Sequence, residues 1–361
     1  MSFLTLFINQ ELAVEKLEEA ALWSGVVQLV SSSSMALTQP IWGMLSDRLG
    51  GKKMLLRILV VYTLTISLTS LSTNVYQVLV LRLIQGILGG TSTVVMAIIA
   101  SSTDPDQLPR AIGYQQSVQN VGFLLGPTLG AGMAVAFGFR ACFLVGGLVL
   151  ALAIPFVLWA RIEATGKSEA SREKISWKDF SGLWKDFATM TSIQAAYGFL
   201  TPIAPLYLTE AGIRGDSLIA YTGLVTAAGT FAYAFSVPVT TRLFGRKHFF
   251  SLFMLGSGVI LLQGLFRQAE VLTVLRMGQC FFHSAGPAFL LSGAGQRRSH
   301  KGFGLGILNS ARFLGNALGP FIASSVAYAT GLNTAFLVTA MFCMLGAIIS
   351  RLGPRRANRS G

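Results

Sequence analysis

Three arginines, Arg82, Arg276 and Arg312, stand inside stretches that are otherwise almost free of charge. A guanidinium in an apolar run is costly, so a functional or structural partner is expected for each. No carboxylate accompanies them: all 15 Asp and Glu fall in loops or near the ends of the apolar runs. An interior furnished in this way suits neutral or anionic amphiphiles, because a desolvated cation needs an opposite charge. Arg312, about nine residues into its run and so near mid-depth, is the expected anion contact. His283 is the imidazole placed to titrate near neutral pH inside a run, which makes it a candidate carrier of a coupling proton. Gln28, Gln116, Asn120, Gln194, Tyr197, Phe282 and Asn309 are candidates to line a cavity; such residues also serve as packing between helices. No nucleophile–base pair and no cluster of metal ligands appears, so no catalytic residue, metal site or enzyme activity is expected. There is no P-loop either, which excludes a nucleotide as the direct fuel.

The elements that must hold these residues follow from composition. Of 361 residues 52% are hydrophobic and only 12% are charged, about half the 25% usual for a soluble domain. Disorder is excluded by the hydrophobicity. A disulfide scaffold is excluded by three cysteines, Cys142, Cys280 and Cys343, each in an apolar run and none in a CxxC pair. Apolar runs of about 20 residues recur along the chain, which reads as an all-α polytopic membrane protein. Eleven full spans are expected near 22–45, 55–73, 77–100, 112–136, 141–160, 187–209, 217–240, 249–267, 271–294, 303–329 and 332–350. With the first inter-span loop on the cytoplasmic side, 21 of the 28 Lys and Arg fall on that side, 4 on the other and 3 within spans. That bias fixes the orientation, with a cytoplasmic C-terminus. The net charge of +13 therefore reads as topology and contact with anionic lipid, not nucleic acid.

The two halves repeat. Arg82-Leu-Ile-Gln85 returns as Arg276-Met-Gly-Gln279, and Arg48-Leu49 with Gly51-Lys52-Lys53 returns as Arg242-Leu243 with Gly245-Arg246-Lys247. Gly126-Pro127 returns as Gly319-Pro320, and Phe143-Leu-Val as Phe336-Leu-Val. The offset is 194 in the first two cases and 193 in the last two. Two homologous helical bundles, 1–160 and 187–361, are expected to flank a charged linker, 161–186, with a substrate site between them. The opening Thr5-Leu-Phe-Ile-Asn-Gln10 matches Pro205-Leu-Tyr-Leu-Thr-Glu210, the end of a full span. Helix one is therefore expected to be partial, about 12 Å of helix against a 30 Å core. In the linker, Ser176 and Asp179 suggest a helix start, with Trp177, Phe180 and Trp184 on one face of a short amphipathic helix.

Three motifs carry a family resemblance. Gly43-Met-Leu-Ser-Asp47-Arg48-Leu-Gly50-Gly51-Lys52-Lys53 resembles the loop between helices two and three of the major facilitator superfamily. It departs from the motif at Gly51, where Arg is usual. Leu81-Arg82-Leu-Ile-Gln85-Gly86 resembles the superfamily's fourth-helix R-x-x-q-G motif. Gly122-Phe-Leu-Leu-Gly126-Pro127-Thr-Leu-Gly130 resembles the fifth-helix motif of its drug–proton antiporters. Trp23-Ser-Gly-Val-Val, Pro40-Ile-Trp-Gly43, Lys53-Met-Leu-Leu-Arg57 and Arg312-Phe-Leu-Gly-Asn316-Ala-Leu-Gly-Pro320 resemble the subgroup of MdtG-like bacterial multidrug exporters.

The resemblance implies two pseudo-symmetric six-helix bundles that rock about a central cavity. It implies gating by Gly43, Asp47, Arg48, Gly50, Lys52 and Lys53, and roles in transport or coupling for Arg82, Gln85 and Gly86. Gly122, Gly126, Pro127 and Gly130 would provide a kinked, small-residue packing face. The function implied is export of diverse amphiphilic drugs from the bacterial inner membrane by a monomer. A proton gradient would supply the energy, with no cofactor. Two alternatives remain at this stage: a carrier for uptake or exchange of a small anionic metabolite, and a truncated, non-transporting sensor or scaffold.

Overall fold

The fold is described from a computed structural model. It covers residues 3–91, 94–95, 98–99, 103, 108–160, 183–244, 248–295 and 301–351. The side chains of residues 40, 43–44, 46–48, 108–114, 116–117, 120, 124, 292–295 and 301–306 are not included in that description. Among the described residues there are helices and no strands, as a lipid-embedded backbone requires. In chain order they are α1 (Leu4–Glu11), α2 (Leu17–Leu49), α3 (Gly51–Ser70), α4 (Val75–Ile87), α5 (Leu108–Trp159), α6 (Trp184–Gly198) and α7 (Leu200–Glu210). Then follow α8 (Asp216–Leu243), α9 (Phe249–Leu265), α10 (Ala269–His283), α11 (Ala285–Gly295), α12 (Lys301–Thr330) and α13 (Leu332–Arg351). Large apolar side chains such as Leu64, Leu148, Leu152, Phe156 and Leu262 are exposed, forming the surface that lipid covers.

Among the described residues, five stretches are long and apolar enough to cross a membrane: 17–39, 51–70, 121–159, 216–243 and 332–351. The stretch 121–159 is two spans, because Gly138 interrupts α5 with φ 81°. Gly331 turns the chain in the same way between α12 and α13 with φ 95°. The two glycines are 193 residues apart. A left-handed residue at each hairpin is what a glycine permits cheaply.

Two expected spans are divided. The 187–209 run breaks at Phe199 into α6 and α7, and the 271–294 run breaks at Ser284 into α10 and α11. Both residues keep helical dihedrals, so only the hydrogen-bond ladder is interrupted. The cause is a proline three residues further on, Pro202 and Pro287, each without the N–H that the carbonyl four residues back would accept. The 77–100 run is also divided: α4 ends at Ile87 and Gly90 has φ 100°.

The duplication is visible in three dimensions. Within the first bundle the Phe7 and Phe143 rings meet edge-on at 4.8 Å, and within the second Tyr207 and Phe336 meet likewise at 5.9 Å. Glu11, at the end of α1, is ion-paired with Arg140 at 2.8 Å, and Glu210, at the end of α7, with Arg267 at 2.9 Å. The arginine has changed loops between the repeats. Arg140 sits in the α5 hairpin and also donates to the Ser70 carbonyl of the α3–α4 loop. Arg267 sits in the α9–α10 loop and donates to Asn333 at the α12–α13 hairpin. Each pair ties the same three chain segments together from a different anchor.

Candidate functional site: a cavity between the bundles

The bundles meet through two equivalent helix pairs, α2 against α12 and α8 against α5. Each crossing is set by a glycine facing a proline carbonyl. A methyl group added at Gly25 would lie 3.1 Å from the Pro320 carbonyl oxygen and 3.0 Å from Ser324 Cβ. One added at Gly223 would lie 3.1 Å from the Pro127 oxygen and 2.8 Å from Ala131 Cβ. Small residues let helix backbones come this close in lipid, where dispersion and geometry drive association. A third link is the Thr5 hydroxyl, which donates to the Pro202 carbonyl at 3.0 Å. All three lie in the half of the helices away from the basic loops.

On the basic-loop side of these contacts is a cavity of about 200 Å³. The first bundle lines it with Gln28, Ser31, Ser32 and Met35 of α2, Tyr62 of α3 and Gln85 of α4. The second contributes Phe313 and Asn316 of α12. Its lining is uncharged and largely polar, with two aromatic rings, Tyr62 and Phe313, and one thioether, a composition suited to an amphiphile. Gln28 donates to Ser32 at 2.9 Å, which leaves the amide carbonyl toward other partners. Gly86 brings α4 onto α2: a methyl group there would meet Ser34 Cβ at 2.9 Å. The Gln85 carboxamide accepts from Arg82, which is 4% exposed and lies 5.9 Å from the Phe143 ring.

The equivalent residues of the second bundle do a different job. Arg276 Nη1 donates to Gln279 at 2.9 Å and to the Ala196 carbonyl at 3.4 Å, and Nη2 donates to the Tyr197 carbonyl. Gln279 adds a bond to the Ala196 carbonyl at 2.6 Å, and Gln263 supports Gln279 at 3.0 Å. The cluster satisfies carbonyls at the α6–α7 break. Arg276 thus pins a divided helix, while Arg82 holds a cavity-lining amide.

Of the other expected site residues, Gln28 and Gln85 reach the cavity and several do not. Gln194 is 6% exposed and packs at the α6–α12 contact beside Gly315. Tyr197 has its hydroxyl 3.2 Å from Thr230 Oγ1 and its ring 5.2 Å from Tyr233. Phe282 rests on Phe281 at 5.6 Å. His283 is buried between α10 and α9, its Nε2 3.3 Å from the Phe253 carbonyl. Asn309 is exposed and Arg312 is half-buried, both on α12. The side chains of Gln116 and Asn120 lie outside the described residues.

The loop between α2 and α3, for which the resemblance implies gating, is covered in part. Gly43, Asp47 and Arg48 lie within α2, their side chains outside the description. Gly50, with φ 87°, separates α2 from α3. Lys52 donates to the carbonyls of Leu158 and Ala160 at 2.8 and 2.7 Å, a cation at the C-terminus of α5. Lys53 is exposed. Gly51, the departure from the motif, is buried where Ile98 crosses it: a methyl group there would lie 3.1 Å from Ile98 Cδ1.

Among the described residues nothing lies within 4 Å of where a Cβ would be at Gly122 and Gly126, and Gly130 meets Phe3 at 3.2 Å. Their second-bundle counterparts carry the close packing instead. A methyl group at Gly319 would fall 2.6 Å from the Ala195 Cα, and one at Gly315 would fall 2.6 Å from Gln194 Cβ.

The sequence fragments around Trp42 and Arg57 prove to be paired in space. Arg57 stacks over Trp42 at 3.4 Å and donates to the Gly89 carbonyl at 3.0 Å. Trp42 donates to the Ile87 carbonyl at 2.6 Å. Together they close the gap in the α4 span, as Arg276 and Gln279 do for α6–α7. In the sequence Arg57 lies two residues into its span and four after Lys53, where it reads equally well as a membrane anchor.

Comparison with known proteins agrees with this architecture. The model of the Major Facilitator Superfamily matches residues 1–222 and again 187–360, one match for each repeat. Multidrug resistance protein MdtG of Dickeya zeae (strain Ech586) is 31% identical over 99% of this chain and 90% of its own length. The MdtG of Klebsiella pneumoniae (strain 342) is 30% identical over 99% and 89%. Among solved structures, a bacterial homolog of the human lysosomal transporter Spinster, inward-facing and occupied, superposes with a TM-score of 0.76. The overlap covers 97% of this chain and 93% of that one at 14% identity. The human organic anion transporter MFSD10 (TETRAN) gives a TM-score of 0.70 over 96% and 88%, at 18% identity. With two repeated bundles, a cavity lined from both and these matches, the chain belongs to the Major Facilitator Superfamily, as a multi-pass membrane transporter and not an enzyme.

Proposed function

We propose that this transporter exports structurally diverse amphiphilic molecules across the bacterial inner membrane in exchange for protons. The observation that carries the reading is the cavity walled by α2, α3 and α4 on one side and α12 on the other. A site shared by two bundles is exposed to alternate faces when they rock about their contacts. Gly25–Pro320 and Gly223–Pro127 are the pivots in this reading. The bundles are 1–160 and 187–361, with 161–186 as the cytoplasmic linker. The basic loops and the C-terminus face the cytoplasm. The working unit is a monomer in direct contact with lipid, and it needs no cofactor. Resemblance to relatives named for multidrug resistance supports the direction of export. The Gly126-Pro127 motif supports proton exchange.

The test is substrate accumulation in proteoliposomes of the purified protein under an imposed pH gradient. Accumulation that collapses with a protonophore is the expected result. Accumulation indifferent to the gradient would end the antiport reading. Asn316→Leu and Gln28→Leu remove cavity amides from opposite bundles. Each should lower transport of polar-headed substrates about tenfold, the loss of one buried hydrogen bond, while thermal unfolding stays close to that of the parent. A second reading, uptake or exchange of a small anion, draws on Arg312; the direction of net flux in the same vesicles separates the two.

A further inference from the structure

Six arginines have described partners in or near the bilayer. Arg57 has Trp42 and Gly89, Arg82 has Gln85, and Arg276 has Gln279 with two carbonyls. Arg140 and Arg267 have their glutamates, and Arg351 lies over Phe250 at 4.3 Å. Arg312 differs. It is half-buried at mid-span in α12, and among the described residues it has no hydrogen bond, ion pair or ring contact. An unpaired guanidinium at that depth is expensive unless something else meets it.

Its position says what that is. Asn309, Arg312, Phe313 and Asn316 follow one another at spacings of three, one and three residues, so they form a single stripe along α12. Phe313 and Asn316 line the cavity. Arg312 therefore lies at the cavity's edge, one turn toward the basic loops from Asn316, with exposed Asn309 a further turn on. No carboxylate of the described spans competes for Arg312.

We infer that Arg312 forms an anion subsite at the cavity's edge that receives the carboxylate or sulfonate head of an amphiphile whose apolar body lies in the cavity against Phe313 and Met35. Guanidinium and oxyanion match in planar, paired geometry, and the aromatic ring and thioether accept variable apolar shapes. Selection would thus be strict for head charge and loose for body shape. The subsite rests on the proposal that the cavity is the substrate site.

The experiment uses two probes that differ by one sulfonate, 8-anilinonaphthalene-1-sulfonate and neutral N-phenyl-1-naphthylamine. Binding to the purified full chain in nanodiscs is measured by equilibrium dialysis, and transport separately in proteoliposomes. Arg312→Gln should weaken binding of the sulfonate about tenfold or more and leave the neutral probe within twofold. Arg312→Lys should restore part of the difference. Equal loss for both probes, or no loss for the sulfonate, would overturn the subsite. Charge-selective binding without transport would retain the subsite and remove the export reading.

Discussion

Gly319→Val should abolish the folded protein, while Gly258→Val should leave it unchanged. The helix α12 lies backbone to backbone on α6 at Gly319. An added methyl group would fall 2.6 Å from the Cα and 2.8 Å from the carbonyl carbon of Ala195. Neither atom is the tip of a flexible side chain, so relief requires α6 to move as a body. That movement would also strain the Thr191 hydroxyl's 3.4 Å bond to the Ala311 carbonyl of α12. Overpacking of this kind costs about 3 kcal/mol, a large share of the stability of one domain. Gly258 faces open space, and nothing within 4 Å opposes a larger residue. Recovery of monodisperse protein in detergent and its melting temperature compare the two. Equal recovery would show that α6 and α12 are not packed as described.

The two repeat-related arginines should respond unequally to removal. Arg276→Met leaves the Tyr197 carbonyl without its donor and deprives Gln279 of a bonding partner in a buried cluster. Stripping one member from such a network costs about 3 kcal/mol. It also frees the α6–α7 junction, where Pro202 has already removed an N–H from the ladder. Arg82→Met breaks one bond, to Gln85, and removes a guanidinium whose buried Nε has no hydrogen-bond partner. Burying that charge is itself unfavourable, so the stability change should be within about 1 kcal/mol. Transport should nonetheless fall, because Gln85 loses its anchor at the cavity wall. Thermal unfolding in detergent measures the first difference and substrate flux the second. A larger stability loss at Arg82 than at Arg276 would reverse the assignment.

The sequence made the repeated architecture legible because the landmarks are rare types at fixed offsets. Arg82 and Arg276, Pro127 and Pro320, and Phe143 and Phe336 all occupy equivalent places in the two bundles. The turn glycines Gly138 and Gly331 belong to the same set. What local pattern could not carry was the division of labour between equivalents. Whether a buried arginine braces a helix or a cavity depends on which carbonyls lie opposite, and Ala196 and Tyr197 are 80 and 79 residues from Arg276. The same holds for glycine ridges. Gly122–Gly126 and Gly315–Gly319 read alike, but among the described residues a close backbone approach occurs only at the second. Helix interruptions at Phe199 and Ser284 were signalled by Pro202 and Pro287, yet uniform hydrophobicity over each run masked them. The cavity residues Ser31, Ser32, Tyr62 and Asn316 are of types too common between packed helices to stand out.

The central claim is that two bundles rock about the Gly25–Pro320 and Gly223–Pro127 contacts to expose one cavity to either face. Distances between paired spin labels measure it directly, in a background without the three native cysteines. One pair, at Leu49 and Leu243, spans the bundles on the basic face, where both side chains are exposed. A second, at exposed Glu15 and Arg214, spans them on the opposite face. Substrate with a pH gradient should shorten the first distance and lengthen the second, each by several Å, on the order of known rigid-body transitions. Both distances remaining fixed while the same labelled protein transports, or both changing in the same direction, would contradict it.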